Sequence, residues 1–355
     1  MDKIGILGFG LIGGSIAKAL KGKADVVAYS RSEQPLKDGY TDGCISAYSN
    51  TSLDVFKGCK YVFLCTPVDM IPDYAQKLVG IVGKDCIFTD VGSTKGEIFH
   101  RMNELDGIKF IAGHPMAGSE KTGYSAASAH LYENAYYIIA PNKNVAQAEL
   151  DDFTALVRSI GALPLYIEPE HHDFVVAAIS HVPHIIASAL VNTVRRLDSD
   201  KLMHTVAAGG FKDITRIASS SAEVWSSICF ENREEILKVT DSFVEVLQNY
   251  RNDIENSDYN GLFSRFENAK NYRDSFAPKR STDNYHSLLV DVEDVPGIIA
   301  SIATLLSENG ISIKNIGIIN SREYADGVLQ IVFSSGEYLE KSAALLEDAG
   351  YKLYK

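Results

Sequence analysis

At 355 residues the chain is longer than one hydrophobic core usually serves, so two or three domains are expected and a single small module is excluded. Hydrophobic residues make up 46% and charged residues 23%, with 10 prolines and no low-complexity stretch, which excludes long disorder. The 34 Lys and Arg against 46 Asp and Glu leave a net charge of −12, which repels phosphate backbones and anionic lipid surfaces and sets aside nucleic-acid and membrane partners.

Met1-Asp2-Lys3 leads straight into an apolar strand, without the basic start, long apolar stretch and cleavage site of a signal peptide. No uncharged apolar run approaches the roughly 18 residues that a bilayer span needs, so a cytoplasmic protein is expected. The cysteines (Cys44, Cys59, Cys65, Cys86 and Cys229) show neither a CxxC pair nor a framework spacing, so neither disulfides nor a metal site is expected.

Across residues 1–168, short β-branched runs at Lys3–Leu7, Asp25–Tyr29, Lys60–Cys65, Cys86–Thr89, Lys109–Ala112, Tyr136–Ala140 and Leu163–Ile167 alternate with amphipathic stretches. That rhythm predicts βαβ units on an open, doubly wound parallel sheet. Directly after the first strand comes Gly8-Phe9-Gly10-Leu11-Ile12-Gly13, with a helix following. The first glycine allows a tight turn, the second lets a pyrophosphate approach the backbone, and the third lets helix pack on strand; the amides of Leu11 and Ile12 open the helix toward the anion. A Rossmann-type dinucleotide site is expected. At the end of the second strand, Ser30 stands where an acid would receive an NAD ribose, and Arg31 beside it suits a 2′-phosphate, so NADP is favoured with NAD possible.

Two further strand ends, Cys65-Thr66-Pro67 and Asp90-Val91-Gly92-Ser93-Thr94-Lys95, lie where an open sheet places its ligands. Thr66 and Pro67 suit a cofactor floor, Cys65 beside them is a cofactor contact or simply a small buried apolar residue, and Ser93 either orients a catalytic group or caps the helix beyond it. The next strand runs into Gly113-His114-Pro115-Met116-Ala117-Gly118-Ser119-Glu120-Lys121, where an imidazole at the sheet edge suits acid–base work.

From residue 169 to 276 strand runs nearly vanish, and apolar residues recur at helical spacing in Phe174–Leu197, Met203–Ala218, Val224–Phe230 and Ile236–Leu262. Pro183 should kink its helix or mark a junction. Ser180-His181-Val182-Pro183-His184 sets two imidazoles three residues apart, without an acidic or thiolate partner at metal spacing, so substrate contact is the better reading. In Gly209-Gly210-Phe211-Lys212-Asp213-Ile214-Thr215-Arg216, Arg216 can clamp a carboxylate bidentately; a surface ion pair with Asp213 or Glu223 is the alternative. Asn271–Asn284 reads as a linker, and over 284–355 a βαββαβ order follows: Tyr285–Val292, Gly297–Glu308, Ser312–Ile319, Val328–Phe333, Glu337–Asp348 and Tyr351–Tyr354.

Together the glycine fingerprint, Asp90–Lys95, Gly113–Lys121, Ser180–His184, Gly209–Arg216 and Trp225 resemble the prephenate dehydrogenase family, in the form with a C-terminal ACT domain. The resemblance implies a Rossmann sheet, an all-α dimerisation domain and a ferredoxin-like ACT domain in a homodimer, whose helical domain carries more apolar stripes than its own core needs. It further implies oxidative decarboxylation of prephenate, with His114 taking the ring hydroxyl's proton. Ser93 would orient His114, and Arg216, His184, His181 and Ser119 would meet substrate. In the ACT domain it implies an aromatic effector such as tyrosine near Asp294, Gly297 and Asn315; a module that only dimerises is the alternative. Rival readings are arogenate dehydrogenase, a 3-hydroxyacid dehydrogenase of the 6-phosphogluconate type with Lys212 catalytic, and a non-catalytic sensor.

Overall fold

The computed structural model describes residues 1–118, 121–276, 286–293, 295–319 and 327–354. Ser119 and Asp294 lie outside them, as does the linker expected beyond residue 276. The chain forms two compact units, Met1–Leu247 and Gln248–Lys355.

The first unit opens as βαβ: β1 (Lys3–Leu7), α1 (Leu11–Leu20), β2 (Asp25–Tyr29), α2 (Glu33–Thr41), β3 (Ala47–Ser49), β4 (Tyr61–Leu64), α3 (Ile71–Val79), β5 (Ile87–Asp90), α4 (Gly96–Asn103) and β6 (Lys109–Pro115). It continues with β7 (Tyr136–Pro141), α5 (Gln147–Ser159) and β8 (Leu163–Tyr166). These strands make one eight-stranded sheet in the order β3-β2-β1-β4-β5-β6-β7-β8. Its strands alternate between two cores. Ile4 and Ile6 face one with Phe63 and Phe153; Leu7, Val62 and Leu64 face the other with Phe88 and Phe110, as a sheet covered on both faces requires.

Two expectations are corrected. The short strand β3 was not foreseen, because Ala47-Tyr48-Ser49 carries no β-branched run. The sheet is also not wholly parallel: β7 pairs antiparallel with β6 and parallel with β8. Among the described residues, the connection over residues 116–135 holds one short 3₁₀ turn, Tyr124–Ala126, and no crossover helix, and the chain returns antiparallel.

The helical part follows as α6 (Pro169–Val176), a π turn (Ala177–His181), α7 (Val182–Leu197), α8 (Leu202–Val206), α9 (Gly209–Thr215), α10 (Ala222–Glu231) and α11 (Arg233–Glu255). Pro183 marks a junction, one of the two outcomes expected: α7 begins at Val182, directly after the π turn. The proline occupies the first turn of α7, and the wider π turn before it accommodates the missing N–H. Pro169–Leu197 is therefore one continuous helix of 29 residues, containing an 18-residue window of mean hydropathy 1.9. This corrects the expectation that no apolar segment reaches spanning length. The same helix carries the buried His172, Asp173 and His181, each bonded to other elements, the pattern of a helix packed within a folded domain. The local core is small, built on Ala177, Val182 and Ile236, while Ile179, Ile214 and Phe230 stand 64%, 62% and 80% exposed.

In the second unit, the periodic stretch to Leu262 is broken: α11 ends at Glu255, and α12 (Tyr259–Ser275) starts from Asp258, whose carboxylate accepts the Gly261 N–H at 3.0 Å. Helix α12 also takes in residues 271–275 that read as linker. Beyond residue 285 come β9 (His286–Val292), α13 (Ile298–Glu308), β10 (Ile313–Ile319), β11 (Gly327–Phe333), α14 (Gly336–Asp348) and β12 (Leu353–Tyr354), with sheet order β10-β11-β9-β12. This is the expected βαββαβ plan, closed over Leu288, Val290, Ile302, Leu306 and Leu346.

Candidate active site

At the carboxyl ends of β1, β2 and β4 a cavity of about 200 Å³ is lined by Gly8, Gly10, Ser30, Arg31, Thr66 and Pro67, with Cys65 beside them. Gly8 has φ +97°, and a Cβ there would sit 2.3 Å from the Cys65 carbonyl oxygen. A Cβ on Gly13 would lie 2.2 Å from the Gly8 oxygen, so the loop closes on itself only with glycine at both places. At Gly10 a Cβ would meet nothing within 4 Å. It would instead fill the open space before the first turn of α1, where Leu11 and Ile12 begin the helix. The Thr66 hydroxyl is buried and has no partner among the described residues. A helix N-terminus facing an open cradle, with an unmet hydroxyl beside it, fits a dinucleotide.

A second cavity, of about 450 Å³, is lined by Ser93, His114, His181, His184, Arg216 and Trp225. The sheet thus contributes Ser93 and His114, and the helical part the rest. Gly118, just before Ser119, also lines it, whereas Lys212 is exposed and does not. His184 stacks on Trp225 with ring centroids 3.5 Å apart, and its Nδ1 meets the Ser180 carbonyl at 3.0 Å. Trp225 thereby fixes the plane of the imidazole.

Beneath this cavity lies a polar network that sequence reading missed. His114 Nδ1 meets His172 Nε2 at 2.8 Å, and His172 Nδ1 meets Asp173 Oδ1 at 2.8 Å. The Asp173 carboxylate also accepts the backbone N–H groups of Lys95 and Gly96, each at 2.7 Å. It thereby caps α4, so the cap considered for Ser93 comes instead from a distant helix. Asn232 donates to the Asp173 carbonyl at 2.8 Å and lies 3.1 Å from His181 Nδ1. The Lys95 ammonium pairs with Asp90, both fully buried. The sequence signal for this network was His171-His172-Asp173 at the start of the helix that also carries His181.

Burial dominates the electrostatics. It holds the His114 pKa well below the usual imidazole value, helped by His172, Lys95 and His181. Burial likewise lowers His172 against the opposing pull of Asp173, brings His181 to about 4, and lowers His184, with Arg216 adding to the effect. The cavity therefore presents neutral imidazoles beside a guanidinium, an arrangement able to take a proton from a bound anion. Among the described residues no cluster of His, Cys, Asp and Glu could hold a metal.

In the second unit Gly297 precedes α13 with φ +96°, and Asn315 lies on β10 at a register irregularity. A cavity of about 320 Å³ there is lined by Asp291, Glu293, Val295, Ile298, Tyr351 and Lys352, and not by Gly297 or Asn315.

Three family models match in succession: the prephenate dehydrogenase nucleotide-binding domain over residues 16–165, its dimerization domain over 168–268, and the ACT domain over 286–338. The prephenate dehydrogenase of Bacillus subtilis is 35% identical over 356 residues, spanning 98% of this chain and 96% of its own. That of Lactococcus lactis is 32% identical over 366 residues, spanning 98% of each. Among solved structures, prephenate dehydrogenase from A. aeolicus in complex with hydroxyphenyl propionate and NAD+ is similar with a TM-score of 0.73 at 31% identity, covering 78% of this chain and 98% of that one.

Proposed function

Since this chain belongs to the prephenate dehydrogenase family, an oxidoreductase that oxidatively decarboxylates prephenate with a nicotinamide cofactor, we propose that His114 is its catalytic base. A bound nicotinamide supplies the acceptor for the hydride. His114 takes the proton of the ring hydroxyl as hydride leaves the carbon that bears it, which offsets positive charge building there. Loss of CO₂ then sends an electron pair through the ring to that oxygen, which recovers the proton from His114, and the ring becomes aromatic. Ser93 contacts the same hydroxyl, Arg216 holds a substrate carboxylate, and His184, His181 and Ser119 complete the substrate contacts. The observation that carries this reading is the neutral, half-buried imidazole of His114 in one cavity with Arg216 and His184.

In His114→Asn, prephenate-dependent reduction of the cofactor, followed by near-ultraviolet absorbance, should fall by at least about a hundredfold while cofactor still binds. Near-normal turnover would overturn the assignment. Arg216→Ala should raise KM for prephenate roughly tenfold to a hundredfold, the worth of hydrogen bonds to a charged group.

NADP is the preferred cofactor and NAD is accepted, since Ser30 offers no charge to repel a 2′-phosphate and Arg31 can bind one. The A. aeolicus relative is described with NAD+, so the two must be compared directly. Arg31→Ala should lower kcat/KM for NADP about tenfold and leave that for NAD within about twofold; equal losses would remove the preference. The protein is a homodimer, as its dimerization-domain match and exposed apolar helices support, and it works in the cytoplasm. Tyrosine binds the ACT domain around Asp294, Gly297 and Asn315 and inhibits.

A further inference from the structure

We propose that His172 and Asp173 are positioning residues, a hydrogen-bonded chain that sets the tautomer of His114 and aims its bare Nε2 into the cavity. The proposal rests on His114 being the base, and deepens that reading.

The chain has a direction. A carboxylate only accepts, so at 2.8 Å the Asp173 oxygen receives the proton of His172 Nδ1. A neutral His172 then has no proton on Nε2, and that nitrogen must accept at 2.8 Å from His114 Nδ1–H. His114 is left with its lone pair on Nε2, the ring edge turned away from His172. The opposite tautomer would put an N–H where the substrate's hydroxyl proton must go.

Asp173 can hold this direction because it cannot turn. Its second oxygen and its first both accept amides at the start of α4, whose dipole favours an anion there. Side chains of His172 and Asp173 are 1% and 8% exposed, so water does not compete for the bonds. Neither residue lines the substrate cavity, so each acts through His114. The charged and titratable groups around His114 are Lys95 at the start of α4, His172 and Asp173 on α6, His181 on the π turn, and Asp90, which pairs with Lys95. When His114 takes a proton at Nε2, its Nδ1–H bond to His172 is kept and strengthened, and no group need reorient.

Two measurements test this. Nitrogen-15 NMR of histidine-labelled protein, with the His114 signal assigned by its loss in His114→Asn, should show the proton on Nδ1 and a bare Nε2; the reverse overturns the proposal. This needs no substrate, and the variant serves only to assign the signal, so it stands even if prephenate is not oxidised, an outcome that would sink the functional reading alone. In kinetics, His172→Phe should lower kcat at least about a hundredfold with KM within about twofold. His172→Gln, which keeps a donor and an acceptor, should recover part of that. Added to His114→Asn, His172→Phe should cost less than about threefold, because the base it orients is already gone. Costs that multiply instead would make His172 a merely structural residue.

Discussion

Lys95 and Asp90 show how one buried pair can organise a site it does not enter. Beyond its ion pair, the Asp90 carboxylate accepts the Gly92 N–H at 2.8 Å and the Gly113 N–H at 3.0 Å, tying the end of β5 to the strand that carries His114. Lys95→Met would leave this carboxylate buried without its counter-charge, and should destabilise the protein by about 3–5 kcal/mol, read from urea unfolding. His181 makes a second prediction. Its folded pKa of about 4 lies below the unfolded value near 6.5, so as pH falls through that window the unfolded chain binds a proton that the folded one refuses. Stability is full above the upper value and is lost as pH drops toward the lower, by up to about 3 kcal/mol. Unfolding midpoints taken across that range should fall, and fall less steeply in His181→Gln.

At the scale of elements, the π turn decides what the longest helix can offer. Eight residues separate Asp173 from His181, which in a regular α-helix puts them about 80° apart. The extra residue in a π turn reduces this to about 20°, and both then meet Asn232. Asn232→Leu leaves His181 Nδ1 without this partner while the Asp173 carbonyl keeps the Ala177 N–H, and should cost about 1–3 kcal/mol of stability, with a larger fractional loss in kcat than in affinity for cofactor. The α4 cap belongs to the same scale. Ser93 was free to serve the cavity because Asp173, a helix away, receives the amides that a local serine would otherwise have taken. Helical periodicity was legible only from Phe174, one residue beyond Asp173, and a cap supplied from 77 residues away in sequence leaves no local mark.

For the whole molecule, the exposed apolar side chains of the first unit argue for a partner. Ile179, Ile214 and Phe230 are more than half exposed, beyond what an isolated helical layer usually leaves to water. Sedimentation should therefore give a dimer, and Phe230→Asp should weaken it. Tyrosine should inhibit the full chain and fail to inhibit a chain ending before residue 286, if that shortened chain keeps its turnover.

The sequence alone determined the elements whose signals are local. Glycines must stand where the β1–α1 loop meets Cys65 and its own carbonyl. A strand-and-helix rhythm must build a sheet with both faces covered, and His114, His184 and Arg216 bring their chemistry with their residue types. Tertiary structure decided what depends on distance. It reversed β7, whose connection from β6 shows no crossover helix among the described residues; it placed His172 and Asp173 beneath His114; and it brought Asn232 onto both Asp173 and His181. These outcomes arise from hydrogen bonds between residues far apart in the chain, and such bonds exist only once burial has removed the water that would otherwise satisfy the same groups.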